Sequence, residues 1–513
     1  MSPEPVVSTK AGKIEGFGQN SVRIFKGIPF AAAPVGNLRW MPPQPLEPWS
    51  GVRLARSYGA ISAQNIMGVS GPGVPSFADQ PQSEDCLYLN VWTPGLDDAR
   101  RPVMYWIHGG AFIIGSGSES FLDAGNLARR GEIVLVSINY RLGAAGFMNL
   151  KEITGGRIPA TGNEGLLDQI AGLEWVRDNI AAFGGDPDNV TVFGFSAGGM
   201  SIGNLLAMPA ARGTFHKAIN RSGAANIAGT LDSAVRITGQ YLDIFGLKGK
   251  DIDGIRGLTT WQLLDSQEKL SAMLREKEYR ATPFQPVVDG STLPDYPMAA
   301  IGNGSAKNIP VMAGNTRDEL KTMNAMDPAV RALDEAGVVE RLKTMLPAGL
   351  VPGLVQAYRD SLTASGAAIA PHEILGSINT DMMFRIPTIR LVEAQRDHGM
   401  PAYNYLFAYR SPAMGGALGA MHGLDNPFLF GVLDSEFTGD SPEARELALR
   451  IQDSCAAFAR TGDPSCPSNG VWPAYGKERM TMIFGAESRV ESAPFEAERR
   501  AWDSYDMVAN TPI

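Results

Sequence analysis

Asn189-Val190-Thr191-Val192-Phe193-Gly194-Phe195-Ser196-Ala197-Gly198-Gly199 runs from an apolar, β-branched stretch straight into a cluster of small residues. Val190 to Phe193 has the composition of a strand buried on both faces, and the small residues after Ser196 suit a helix start packed close against it. A serine placed at such a strand-to-helix turn projects its hydroxyl away from the chain, and Gly194 and Gly198 leave out the side chains that would clash there. The Gly-x-Ser-x-Gly pattern in this setting makes Ser196 the candidate nucleophile.

Working outward from the turn, the same alternation repeats. Apolar runs bounded by Gly, Pro or Asn occupy 102–110, 132–143, 308–315 and 402–409. Between two of them, at 163–184, Leu166, Leu167, Ile170, Leu173, Trp175 and Val176 recur at helical spacing. Strand alternating with helix predicts an α/β protein of the α/β-hydrolase type, with a large, mostly parallel central sheet and helices on both faces. The stretches near 231–293 and 320–401 are helix-rich and read as insertions capping the sheet, while Ile61 to Pro81, rich in Gly and Pro, reads as a long surface loop. No repeat or linker divides 1–513, so one domain is expected.

Hydrophobic residues make up 44% of the 513 and charged residues 19%, the balance of a soluble globular protein with a substantial core. A net charge of -9 without a basic run argues against nucleic acid or an anionic membrane as partner, which leaves a small molecule. No apolar run is long enough to span a bilayer, and the N-terminal stretch has no secretory signal pattern. A cytoplasmic monomer or homodimer is expected. Cys86, Cys455 and Cys466 are too few for a disulfide framework and lack zinc-site spacing, so free thiols and no metal are expected.

Acyl transfer needs hydrogen-bond donors where charge develops on the carbonyl oxygen. His108-Gly109-Gly110-Ala111 follows an earlier strand, and its Gly109 and Gly110 N–H groups, joined by that of Ala197, are assigned to the oxyanion hole. Five histidines are available as general base: His108, His216, His372, His398 and His422. In this fold the triad runs Ser, acid, His along the chain. That order excludes His108; His216 lies too close behind Ser196; His372 falls in a cap and His398 before a strand. His422 alone follows what reads as the last strand, in a loop. The acid should follow the penultimate strand, where Asp318 and Glu319 stand side by side, and pattern alone does not choose between them.

Longer motifs then accumulate: Phe25-Lys26-Gly27-Ile28-Pro29-Phe30, Pro34-Val35-Gly36-Asn37-Leu38-Arg39, Ser83-Glu84-Asp85-Cys86-Leu87-Tyr88-Leu89-Asn90, and the nucleophile region itself. With these the chain resembles the type-B carboxylesterase family, which includes bacterial para-nitrobenzyl esterases and animal cholinesterases. The resemblance implies Glu319 as the catalytic carboxylate, His422 as base and Ser222 as a supporting serine behind the triad. It also marks departures. Phe195 replaces a glutamate common before the nucleophile, and lines the substrate pocket or packs in the core; Ile61 to Pro81 lacks the tryptophan that cholinesterases use for a quaternary ammonium; Ser62 stands where many relatives pair a cysteine with the equivalent of Cys86. The expected activity is hydrolysis of neutral carboxylic esters through Ser196, Glu319 and His422, with no cofactor. The readings set against it are a carbamate, amide or lipid-ester hydrolase on the same residues, and a non-catalytic binding relative.

Overall fold

Val103 to Ile107, Val134 to Ile138 and Val190 to Phe193 are buried throughout, a condition met by strands covered on both faces. A computed structural model of the chain describes residues 4–65, 80–278, 282–321 and 327–506, the side chains of 276–278 excepted. Its main sheet comprises β1 (Phe17–Gln19), β2 (Val22–Pro29), β3 (Tyr88–Thr93), β4 (Arg101–Ile107), β5 (Val134–Ile138), β6 (Gly185–Phe195), β7 (Lys217–Arg221), β8 (Val311–Thr316), β9 (Ala402–Phe407), β10 (Met480–Phe484) and β11 (Arg489–Ser492). Their order across the sheet is β11-β10-β9-β8-β7-β6-β4-β5-β3-β2-β1. Neighbours from β5 through β10 run parallel, and β3, β2 and β1 at one edge and β11 at the other are antiparallel.

Alternation along β4 divides the interior in two. Val103, Tyr105 and Ile107 face a core shared with Leu166, Leu173 and Val176 of α1 (Glu164–Asn179), whereas Met104 and Trp106 face one shared with Phe430 and Phe458. α2 (Ala197–Ala207) leaves the nucleophile turn on the first face; α3 (Pro371–Thr380) and α4 (Ile386–Asp397) cover the same core. α5 (Asp425–Phe430) and α6 (Pro442–Thr461) build the second. Leu231–Asp243, Ile252–Arg256 and Thr260–Glu278 are helical, as are Glu335–Lys343 and Val351–Ala364. Among the described residues no helix is long and apolar enough to cross a membrane.

One expectation needs correction: β9 is not the last strand, because β10 and β11 continue the sheet beyond it. β7 has no apolar run to mark it: Lys217, Asn220 and Arg221 are polar, yet each is buried in the sheet with its own polar partner. The greater part of the Ile61 to Pro81 loop lies outside the described residues; its ends, Ile61–Ser62 and Gln82–Ser83, pair in parallel.

Candidate active site

Ser196 joins β6 to α2 at φ 55° and ψ -123°, a conformation that costs an L-residue about 1–3 kcal/mol and must be imposed by its surroundings. The surroundings are backbone. Ser196 N–H donates to the Arg221 carbonyl at 2.9 Å, and Met200 N–H closes the first helical turn onto the Ser196 carbonyl at 2.9 Å. A Cβ on Gly198 would lie 2.0 Å from the Ile107 carbonyl oxygen, so only glycine lets the turn press against β4. The result leaves Ser196 partly exposed on a rigid base.

Gly109 and Gly110 lie directly against this turn. A Cβ on Gly109 would meet the Ser196 Cβ at 3.0 Å, and Gly110, at φ +103°, accepts hydrogen bonds from Ile113 and Ile114, both at 3.0 Å. Ala197 opens α2, so its N–H is one of those a helix start cannot satisfy internally. His108 holds the loop from beneath: its buried ring stacks on Tyr140 at 4.3 Å and its Nδ1 sits 2.8 Å from the Gly109 carbonyl. Burial pushes this imidazole down to about 4, against the pull of that carbonyl, which keeps it neutral.

His422, the candidate base, arrives on the loop after β9. His422 Nε2 lies 2.9 Å from Ser196 Oγ, and its Nδ1 bonds the Glu319 carboxylate. Glu319 has no side-chain exposure while His422 retains 23%, so the acid is sealed and the base faces the cleft. The other Glu319 oxygen accepts Thr316 N–H at 2.8 Å. Asp318, undecided from the pattern, does something different: it accepts Ala420 N–H at 2.7 Å, returns its own N–H to the Ala420 carbonyl at 3.0 Å, and pairs with Arg317 at 3.0 Å. One carboxylate holds the ring and its neighbour holds the loop.

Residues 3–502 match the sequence profile of the carboxylesterase family. The chain belongs to the carboxylesterase family. It is a carboxylic ester hydrolase. It is similar to the para-nitrobenzyl esterase of Bacillus subtilis, 39% identical over 505 residues with 96% of this chain and 97% of that one covered, and to mouse carboxylesterase 1D, 33% identical with 98% and 94% covered. Among solved structures it resembles the Geobacillus stearothermophilus carboxylesterase EST55 at TM-score 0.86 and 37% identity, covering 97% of this chain and all of that one. The fold is therefore that of the α/β-hydrolase carboxylesterases.

In this family member Phe195, beside Ser196, is half-buried with its ring 4.5 Å from the His422 ring, and Phe384 packs against the same ring at 5.0 Å. Phe384 reaches the imidazole from a π-turn, Asp381–Arg385, between α3 and α4, a one-residue distortion that re-aims the side chains it carries. Nothing in composition or periodicity marks such a turn. Ser222 is buried beside the Ser196 turn at φ 44° and donates its N–H to Gly314 at 2.8 Å, and its Oγ makes no hydrogen bond among the described residues. His216 Nδ1 accepts Val190 N–H at 3.1 Å, His398 approaches the Ile301 and Gly302 carbonyls, and His372 lies beside Glu373. All three cysteines are free; burial pushes Cys86 up to about 12, opposed by a hydrogen bond with Ser62.

Proposed function

We propose that this carboxylic ester hydrolase acts by two-step acyl transfer on Ser196. The observation carrying the proposal is the single chain of contacts from Ser196 Oγ through His422 at 2.9 Å to the buried Glu319. His422 takes the hydroxyl proton as Ser196 attacks the ester carbonyl; the carbonyl oxygen gains charge opposite the N–H groups of Gly109, Gly110 and Ala197. The imidazolium returns its proton to the departing alcohol. Water then enters and attacks the acyl carbon, losing a proton to His422, and the imidazolium gives that proton to Ser196 Oγ as the acyl–Oγ bond breaks and the acid leaves. Glu319 fixes the imidazole with its proton on Nδ1 and stabilises the cation that forms in each half. No cofactor or metal enters these steps.

Phe195 in place of an acidic residue makes the cleft beside the base apolar, which favours neutral esters over cationic choline esters. The unpaired thiols fit a reducing cytoplasm. A fluorescent organophosphonate followed by peptide mass spectrometry tests the mechanism: the adduct is expected on Ser196, and an adduct elsewhere, or none, overturns it. A chain-length series of nitrophenyl esters tests the substrate class, with preference for long micellar chains counting against a simple esterase.

A further inference from the structure

At the end of β7 lies an ion pair for which the triad has no use. Arg221 Nη2 donates to Asp425 Oδ2 at 2.7 Å, with side chains only 2% and 1% exposed. A buried pair of this kind is weak evidence for stability, because removing two charges from water costs about as much as their attraction returns. Its position is the informative part. The Arg221 carbonyl is the acceptor of Ser196 N–H, and Asp425, three residues after His422, is the first residue of α5. One side-chain contact therefore links the backbone that carries the nucleophile to the backbone that carries the base.

The electrostatic setting is equally specific. Facing the pair are Glu319 and His422 from the acid and base loops, Tyr405 from β9 and Cys455 from α6. The Arg317–Asp318 pair stands on the other side of the base loop, at Ala420. Arg221 Nε and Asp425 Oδ1 are buried and make no hydrogen bond among the described residues, so the contact is built on one oxygen and one nitrogen. Burial lifts the Asp425 carboxyl above its ordinary value, Arg221 pulls it down, and Glu319 pushes it up. Two carboxylates thus stand within electrostatic reach of one imidazole, and a guanidinium answers one of them.

We propose that Arg221 and Asp425 are positioning residues for ester hydrolysis: they hold the base loop in register with the nucleophile turn and leave His422 facing a single uncompensated carboxylate, Glu319. This rests on the Ser196–His422–Glu319 reading above. Its consequence is an asymmetric signature. In Asp425→Asn the guanidinium stays charged, since arginine does not give up its proton in proteins, and an unanswered cation near the base disfavours imidazolium. The acid limb of kcat/KM then moves to lower pH. In Arg221→Met the buried Asp425 carboxyl, without its guanidinium, keeps a proton, and the limb stays near its parental position.

The experiment is the pH profile of nitrophenyl acetate hydrolysis by the full-length enzyme, its two single variants and the apolar double variant Arg221→Met/Asp425→Leu. Asp425→Asn is expected to move the limb down by about half a pH unit or more and Arg221→Met to leave it near its parental position, both with kcat lowered about tenfold and KM within about twofold. The double variant, with neither charge, should return the limb to its parental position while kcat stays low. A limb that does not move in Asp425→Asn, or that moves equally in both single variants, overturns the proposal. If the single variants do not fold, the double variant decides: a lowered kcat on an unshifted limb supports the pair's role, and a parental kcat refutes it. Organophosphonate labelling of Ser196 and the loss of hydrolysis in His422→Gln report on the triad separately, so the two readings can fail independently.

Discussion

The two halves of the site are held by different physics. On one side, Ser196 is fixed by backbone and by the absence of side chains: β6 ends, α2 begins, and Gly198 packs where no Cβ fits. On the other side, His422 sits on a loop between β9 and α5, positioned by polar clips from Asp318, Glu319 and, across 204 residues of sequence, Arg221 to Asp425. Steric fixation is local and tolerates no added atom. Polar clips are long-range and should fail one at a time.

That contrast can be broken by substitution. Glu319→Gln keeps the shape but favours the wrong imidazole tautomer, and kcat is expected to fall on the order of 10⁴-fold in steady-state assays; a fall under tenfold would remove Glu319 from the mechanism. Gly198→Ala places one methyl against the Ile107 carbonyl, and a displacement of the nucleophile by as little as 1 Å costs about 10²-fold in kcat. A near-parental rate would show that the elbow yields. Asp318→Ala removes one charged clip, worth about 1.5 kcal/mol, and about tenfold in kcat/KM is expected. If it instead matches Glu319→Gln, the halves do not differ in kind.

The smallest effect concerns stability beneath the oxyanion loop. Burial raises the Glu119 carboxyl to about 8, Ser116 N–H opposing, so between its ordinary value near 4.5 and about 8 the folded chain keeps a proton that the unfolded chain releases. Stability contributed by this group is therefore present at low pH and lost as pH rises through that window. Glu119→Gln should flatten the decline in melting temperature from pH 5 to 8, read by thermal-shift fluorimetry; an unchanged slope would place the cause elsewhere.

Legibility follows the same division. The elbow could be read because every determinant lies within the eleven residues from Asn189 to Gly199, and sterics at that range leaves a Gly pattern. The choice between Asp318 and Glu319 could not be read from pattern, since adjacent carboxylates differ only in where the turn after β8 points them. Arg221 was hidden because a buried, paired charge and an exposed one are spelled alike. Phe384 was hidden because a π-turn shifts register by one residue without altering composition. The parallel centre of the sheet was legible from its apolar runs; its antiparallel edges and β7, short or polar, were not.

Ser196 and His422 are 226 residues apart in the chain, and His422 and Glu319 are 103 apart. Contacts of such separation form late, because the loops between them must close first and a parallel sheet offers few local shortcuts. Hydrolysis in this enzyme therefore doubles as a clock for its own assembly: a refolding chain regains helical signal early, and turnover returns only when strands from β4 to β9 have all taken their places.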